Sequence, residues 1–149
     1  MLTLEELQSC LSDAYEHLYD IAYLRMHAIS RLALAPGDAR KDHAWQVHHA
    51  LLQSLDELNP DGRAPVMSRE WRKHRLMRLR YVDGLSPQEV ADALAVSRRQ
   101  YYRIHEEAIQ SLAQILFARQ PAETQPAAQS RERLETLRAE AGRHTVAND

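Results

Sequence analysis

The sequence predicts an all-α protein, a helical domain with a helix-turn-helix preceded by N-terminal helices. Along most of the chain, apolar side chains recur at intervals of three and four residues, as on one face of an α-helix. Thr3, Ser86 and Ser97 each stand three positions before a Glu or Gln, which is the capping-box pattern of a helix start. No segment alternates apolar and polar residues for long enough to predict a strand.

Composition excludes several classes of protein. The chain of 149 residues is 44% hydrophobic and 27% charged, which is typical of a globular domain. Its single cysteine, Cys10, cannot form an internal disulfide, and this excludes a secreted disulfide framework. The formal charge of −2 excludes a uniformly basic protein that coats nucleic acid. No apolar run approaches a membrane span, and the acidic start is unlike a signal peptide, so we expect a cytoplasmic protein without membrane contact.

The first helix is predicted from Thr3, with Glu6 completing its capping box. Apolar residues between Leu4 and Ile21 then follow spacings of three and four, which predicts a narrow stripe on one face of a continuing helix. The stripe has two interpretations, packing inside the monomer or forming a dimer seam. Of the two, a homodimer is slightly favoured.

Turn-rich segments divide the rest of the chain. Pro36-Gly37-Asp38 marks a break, a second helix is predicted at about 43–58, and the stretch 59–65 ends it. A third helix is expected from Ser68 to about residue 82. The predicted organisation is an N-terminal helical region for packing or dimerisation at 1–67, a helix-turn-helix domain at 68–119, and a Pro/Ala/Gln-rich linker or flexible tail at 120–149.

Positive charge is concentrated at the start of the domain predicted at 68–119. Residues 1–68 carry a net charge of −5, whereas residues 69–119 carry +4. The segment 69–80 holds six basic residues and one acid. A basic block of this kind is either a solvated helix face or a surface for a polyanion. Its candidate phosphate contacts are Arg72, Lys73, Arg75 and Arg78.

Two helix starts eleven residues apart predict a helix-turn-helix. Ser86 and Pro87 begin a short helix that ends near Leu94, and Ser97 begins a longer one. The inward positions are predicted to be Val90, Ala91, Leu94, Val96, Tyr101, Ile104, Ala108, Ile109 and Leu112. A helix of under three turns is not stable alone, so it needs the helix that follows as a shared core.

The outward side chains at the start of the second helix suit a DNA major groove. Arginine can pair with guanine edges, glutamine can pair with adenine, and a helix N-terminus attracts phosphate. Tyr102 has two interpretations, since it could stack on the nucleic acid or support the helix against the core. The predicted DNA contacts of the helix-turn-helix are Ser86, Ser97, Arg98, Arg99, Gln100, Tyr102 and Arg103.

From about Leu76 to Leu116 the chain resembles region four of bacterial sigma factors. The resemblance rests on Leu79-Arg80-Tyr81, Gly84-Leu85-Ser86, Glu89-Val90-Ala91, Leu94, Val96-Ser97 and Ala108-Ile109-Leu112. It implies that residues 87–94 form the supporting helix and that the helix from Arg98 begins with the recognition surface. The chain departs from the pattern at Ala95, where a turn glycine is usual, at Tyr101-Tyr102, and at His105, a position usually apolar. Residues 1–68 show no sigma region that binds core polymerase.

These observations favour a bacterial transcription regulator that binds specific sequences of double-stranded DNA, or the DNA-binding N-terminal part of a larger sensor. The alternative is a protein-interaction module that docks on RNA polymerase or an anti-sigma-like partner. We expect no enzyme and no cofactor. His43, His48 and His49 lack the spacing of a helical zinc pair, so no metal site is expected. Cys10 is interpreted as a small core residue.

Overall fold

The computed structural model describes residues 1–34 and 42–121, and within these ranges it contains helices and no strand. This confirms the all-α prediction. A π-helical turn, Arg78–Val82, continues the fourth helix, and short 3₁₀ segments lie at Ala28–Arg31 and Pro60–Gly62. The described ranges contain six α-helices: α1 (Leu4–Glu16), α2 (Ile21–Met26), α3 (His43–Asp56), α4 (Arg69–Met77), α5 (Pro87–Leu94) and α6 (Arg98–Arg119).

Helix starts follow the local sequence as predicted. The Thr3 hydroxyl accepts from the Glu6 amide, and the Glu6 carboxylate accepts from the Thr3 amide, which completes the capping box of α1. Ser68 caps α4 through the Trp71 amide. Each cap satisfies amide groups that a helix start leaves without an internal partner.

One prediction for the N-terminal region is wrong, because the helix ends at Glu16 and a second one begins at Ile21. The buried Leu18 lies in the turn between them, and its carbonyl oxygen is 2.6 Å from Nδ1 of His48 on α3. Asp20 then caps α2 by accepting from the Tyr23 amide. Contacts with α3 and a new cap thus redirect the chain where its apolar spacing predicts a continuing helix.

The apolar stripe of α1 packs inside the monomer. Leu7, Leu11 and Ala14 are fully buried, and α1 lies against α6 and the 3₁₀ turn that follows α2. The Tyr15 hydroxyl donates to the Leu51 carbonyl of α3 at 2.8 Å. Because these side chains are buried within one copy, the stripe leaves no apolar seam free for a second.

One continuous hydrophobic core joins all six helices. It includes Leu7 and Leu11 of α1, Leu51 of α3, Val90 of α5 and Leu112 of α6. The boundary predicted at residue 67 therefore does not separate two hydrophobic cores within the described residues. No helix there has the length and apolar character required to cross a membrane.

The structure places Gln120 in the folded core, so the predicted start of the tail at residue 120 is too early. Gln120 lies just after α6 and is 2% exposed, where the sequence predicts a linker. Its side-chain amide donates to the Leu2 carbonyl at 2.7 Å, and its oxygen accepts from the Leu2 amide at 3.0 Å. The predicted break at 36–38 and the tail from residue 122 lie outside the described residues.

Candidate nucleic-acid interface

A tight corner joins α5 to α6 and aims the start of α6 at solvent. Ala95 adopts the left-handed conformation (φ 55°, ψ 43°), and the Val96 amide bonds the Ala91 carbonyl at 3.0 Å. Val90, Ala91 and Leu94 are buried beneath the corner, as their positions predict. The corner thus makes the turn with an alanine, although a left-handed residue other than glycine costs about 1–2 kcal/mol.

The two serines of the predicted DNA contacts serve as helix caps. The Ser86 hydroxyl accepts from the Glu89 amide at 3.2 Å, and the Ser97 hydroxyl accepts from the Gln100 amide at 3.1 Å. Both capping boxes are complete, since each glutamate or glutamine side chain bonds back to the serine amide. These bonds set the direction in which α5 and α6 begin.

Gln100 is held by its own capping box. Its side-chain oxygen accepts from the Ser97 amide at 3.0 Å and from the Ser97 hydroxyl at 3.4 Å. Reading adenine in the major groove requires both the oxygen and the NH₂ of a glutamine. While the cap is intact, Gln100 offers DNA only its NH₂ group.

Three arginines form the exposed surface at the start of α6, together with one tyrosine. Arg98, Arg99 and Arg103 are exposed, and none of them pairs with a carboxylate of the described residues. Tyr102 is 53% exposed and meets the buried Tyr101 ring edge-on at 5.0 Å. This set, called the reading surface below, carries three cations and one aromatic ring within two helical turns.

A small polar cleft adjoins the reading surface between α4 and α6. It encloses about 160 Å³ and is lined by Arg69, Arg72, Gln100, Arg103, Ile104 and Glu107. The Nε atom of Arg72 is buried and has no hydrogen-bond partner among the described residues. Arg69 contacts Glu107 at 3.3 Å, which leaves the Arg72 and Arg103 cations uncompensated in the cleft. The cleft therefore favours an anion.

The other basic residues of α4 lie elsewhere. Lys73 Nζ donates to Ser111 Oγ at 3.3 Å, farther along α6. Arg78 pairs with Asp56 of α3 at 3.1 Å, and Arg75 is exposed. Of the four predicted phosphate contacts, only Arg72 lies in the cleft with reading-surface residues.

Sequence reasoning missed Arg69 and the contact between Tyr81 and His105. Arg69 is part of the basic block and stands three residues before Arg72, a spacing that places both on one helix face. His105 Nε2 lies 2.6 Å from the Tyr81 hydroxyl. A histidine at a position that is usually apolar could have indicated that His105 has a polar partner in the core.

The histidines singled out by the sequence have structural partners. His48 bonds the Leu18 carbonyl, and His43 Nε2 lies 2.9 Å from the Ser30 carbonyl. Among the described residues, no three His, Cys, Asp or Glu side chains are grouped to hold a metal. Cys10 is half-buried in the core, and burial raises the pKa of its thiol.

Helices α4 to α6 form a DNA-binding domain of the helix-turn-helix class, in which α5 and α6 are the two helices of the motif and α6 carries the reading surface. Residues 67–111 match the family model described as a homeodomain-like domain, which is less than a third of the chain. The match supports the helix-turn-helix and is not specific for sigma region four. No curated protein matches the chain, and no solved structure does.

Proposed function

We propose that the protein is a transcription regulator that reads a specific sequence of double-stranded DNA through the start of α6. The observation that carries this proposal is the reading surface, because Arg98, Arg99 and Arg103 leave their guanidinium groups exposed and unpaired with described carboxylates. A helix in the major groove contacts bases with such side chains.

We propose a role for each arginine from its position. Arg99 and Arg103 stand four residues apart, on one face of α6. Arg99 can reach guanine edges, and Arg103, which also lines the cleft, can contact either a base or a phosphate held there. Arg72 in the adjoining cleft supplies a phosphate contact that sets the register of α6 on the duplex. Gln100 contributes to the capping box of α6, and its NH₂ can add a single bond to DNA.

The finer assignment to a sigma-region-four-like regulator rests on the sequence pattern from Leu76 to Leu116. A complete sigma factor is not proposed, because residues 1–68 lack a region that resembles a polymerase-binding one. A cytoplasmic protein with no enzymatic activity fits this role. The homodimer remains part of the proposal, on a surface other than the buried stripe of α1.

Selection from a random pool of double-stranded DNA, followed by salt titration of the enriched sequences, tests the proposal. We expect one motif, with a log–log salt slope of about −4 to −5 if about five phosphates are neutralised. Arg99→Ala is expected to relax the motif at one or two positions. Arg63→Ala is the matched control, since it removes an exposed arginine outside the helix-turn-helix.

Each other outcome has a defined meaning. Salt-sensitive binding without a motif contradicts sequence-specific reading and leaves a non-specific electrostatic role. Absence of binding at low salt contradicts DNA binding, and a partner captured after nuclease treatment then favours docking on RNA polymerase. A two-fold symmetric motif supports the dimer, whereas a single asymmetric site contradicts it.

A further inference from the structure

A groove lies where the turn after α1 faces α3 and the π-helical turn after α4. Its volume is about 740 Å³, within the range of small-molecule sites. The residues that matter for its chemistry are Glu16, Tyr19, Asp20, Trp45, Arg80 and Tyr81. These positions come from three distant parts of the sequence, so the groove exists only in the folded chain.

Aromatic rings line this groove. Tyr19 is 60% exposed and Trp45 is 49% exposed, although both are large apolar side chains. Both rings meet the His48 ring edge-on, at 5.4 Å and 5.6 Å between centroids. Both rings are thus anchored on the same buried histidine. The groove therefore has two aromatic walls already in place.

The charge of the groove is negative. Glu16 and Asp20 are exposed and form no salt bridge with any described residue, although one Asp20 oxygen caps α2. Arg80 keeps its charge, since its contacts are with the neutral Leu85 carbonyl at 3.4 Å and with the Tyr81 ring, whose centre is 5.1 Å away. The two carboxylates outnumber this one cation, so the groove carries a net negative charge that attracts a cation from solution.

We propose that this groove binds a small organic cation with an apolar body, such as a substituted ammonium ion. Trp and Tyr rings attract cations through their negative faces, and nearby carboxylates add to that attraction. A dissolved metal ion lacks the apolar body that would cover the rings. The groove shares no residue with the reading surface, so the inference does not depend on DNA binding.

Isothermal titration of the full chain with benzyltrimethylammonium tests the proposal directly. Benzyl alcohol serves as the neutral probe and phenylacetate as the anionic one, since both carry the same ring. We expect saturable binding of the ammonium probe, about ten-fold tighter than of benzyl alcohol and tighter still than of phenylacetate. Equal binding of the three probes, or no binding of the cation, overturns the proposal.

Two variants locate the site. Glu16→Gln combined with Asp20→Asn removes both charges while the introduced amide oxygen still caps α2, and Trp45→Leu removes one aromatic wall. Each variant is expected to bind the ammonium probe about five- to ten-fold more weakly. Glu5→Gln is the matched control, because it removes an exposed carboxylate of α1 outside the groove. Unchanged affinity in both variants, with native circular dichroism, overturns the assignment of the groove.

Discussion

The Tyr81 hydroxyl lies 2.6 Å from Nε2 of His105 and joins the π-helical turn after α4 to the helix that carries the reading surface. Burial raises the pKa of Tyr81 to about 12. Burial, together with the nearby Arg80 cation, lowers the pKa of His105. The Tyr81 hydroxyl therefore donates a hydrogen bond to the neutral ring of His105.

Acidification is expected to weaken the fold through His105. Its pKa is below the ordinary 6.5 in the folded protein, so the unfolded chain binds more protons below about pH 6.5. Stability is therefore lost as the pH falls through this window, by up to about 1.4 kcal/mol for each unit of pKa lowering. Urea denaturation at pH 7.5 and 5.5 measures the loss. His105→Gln keeps a hydrogen-bond acceptor that does not titrate, so we expect this variant to lose less stability between the two pH values than the natural protein does. An equal loss of stability in the two proteins contradicts the prediction.

Replacing Ala95 with glycine is expected to stabilise the protein. The left-handed φ of 55° strains an alanine by about 1–2 kcal/mol, whereas glycine adopts it freely at an entropic cost of about 0.5–1 kcal/mol. The free energy of unfolding should rise by about 0.5–1 kcal/mol in urea denaturation. Ala93→Gly, at an exposed position within α5, is the control and should lower it by about 1 kcal/mol. A loss in both variants contradicts strain at the corner.

Arg72→Ala is expected to weaken DNA binding without changing the preferred motif. Loss of one phosphate contact should reduce the log–log salt slope by about 0.9. Lys73→Ala is the control, because it removes an equal charge outside the cleft. Lys73 contacts Ser111, which lies about 12 Å along α6 from Arg103. Salt titrations of both variants on one DNA site compare them. Equal slopes in the two variants argue that the cleft does not hold a phosphate.

Gln120→Ala is expected to destabilise the whole fold. The change leaves the buried amide and carbonyl of Leu2 without their partner, at a cost of about 2–4 kcal/mol for the two groups. Chemical denaturation measures the loss. Gln110→Ala, at an exposed position of α6, should change stability by no more than about 0.5 kcal/mol. A comparably small effect at Gln120 means that water replaces its bonds.

Local sequence signals predicted the helix-turn-helix well, because its elements are set by nearby residues. The caps at Ser86 and Ser97 bond within three residues, and the inward side chains of α5 follow the helical period. The start of α1 was predicted for the same reason, because Thr3 bonds Glu6 only three residues away. The turn without glycine that the sequence indicated at Ala95 is made by a left-handed alanine.

Features that depend on distant residues escaped prediction. The end of α1 depends on His48, thirty residues beyond Leu18. Periodicity groups the basic residues of α4 by face but does not say which helix each face meets; Arg78 meets α3, and Arg72 meets α6. Gln120 bonds Leu2 across 118 positions of sequence, a contact that no local pattern signals.

Helix α6 is 22 residues long, which corresponds to about 33 Å. Its first turns present the arginines, and its later turns are buried against α1 and α3. The N-terminal helices therefore hold the start of α6 at a fixed angle in the free protein. Because this helix is already oriented, DNA binding does not cost the entropy of orienting it, and a mutation in α1 or α3 can alter DNA affinity without contacting DNA.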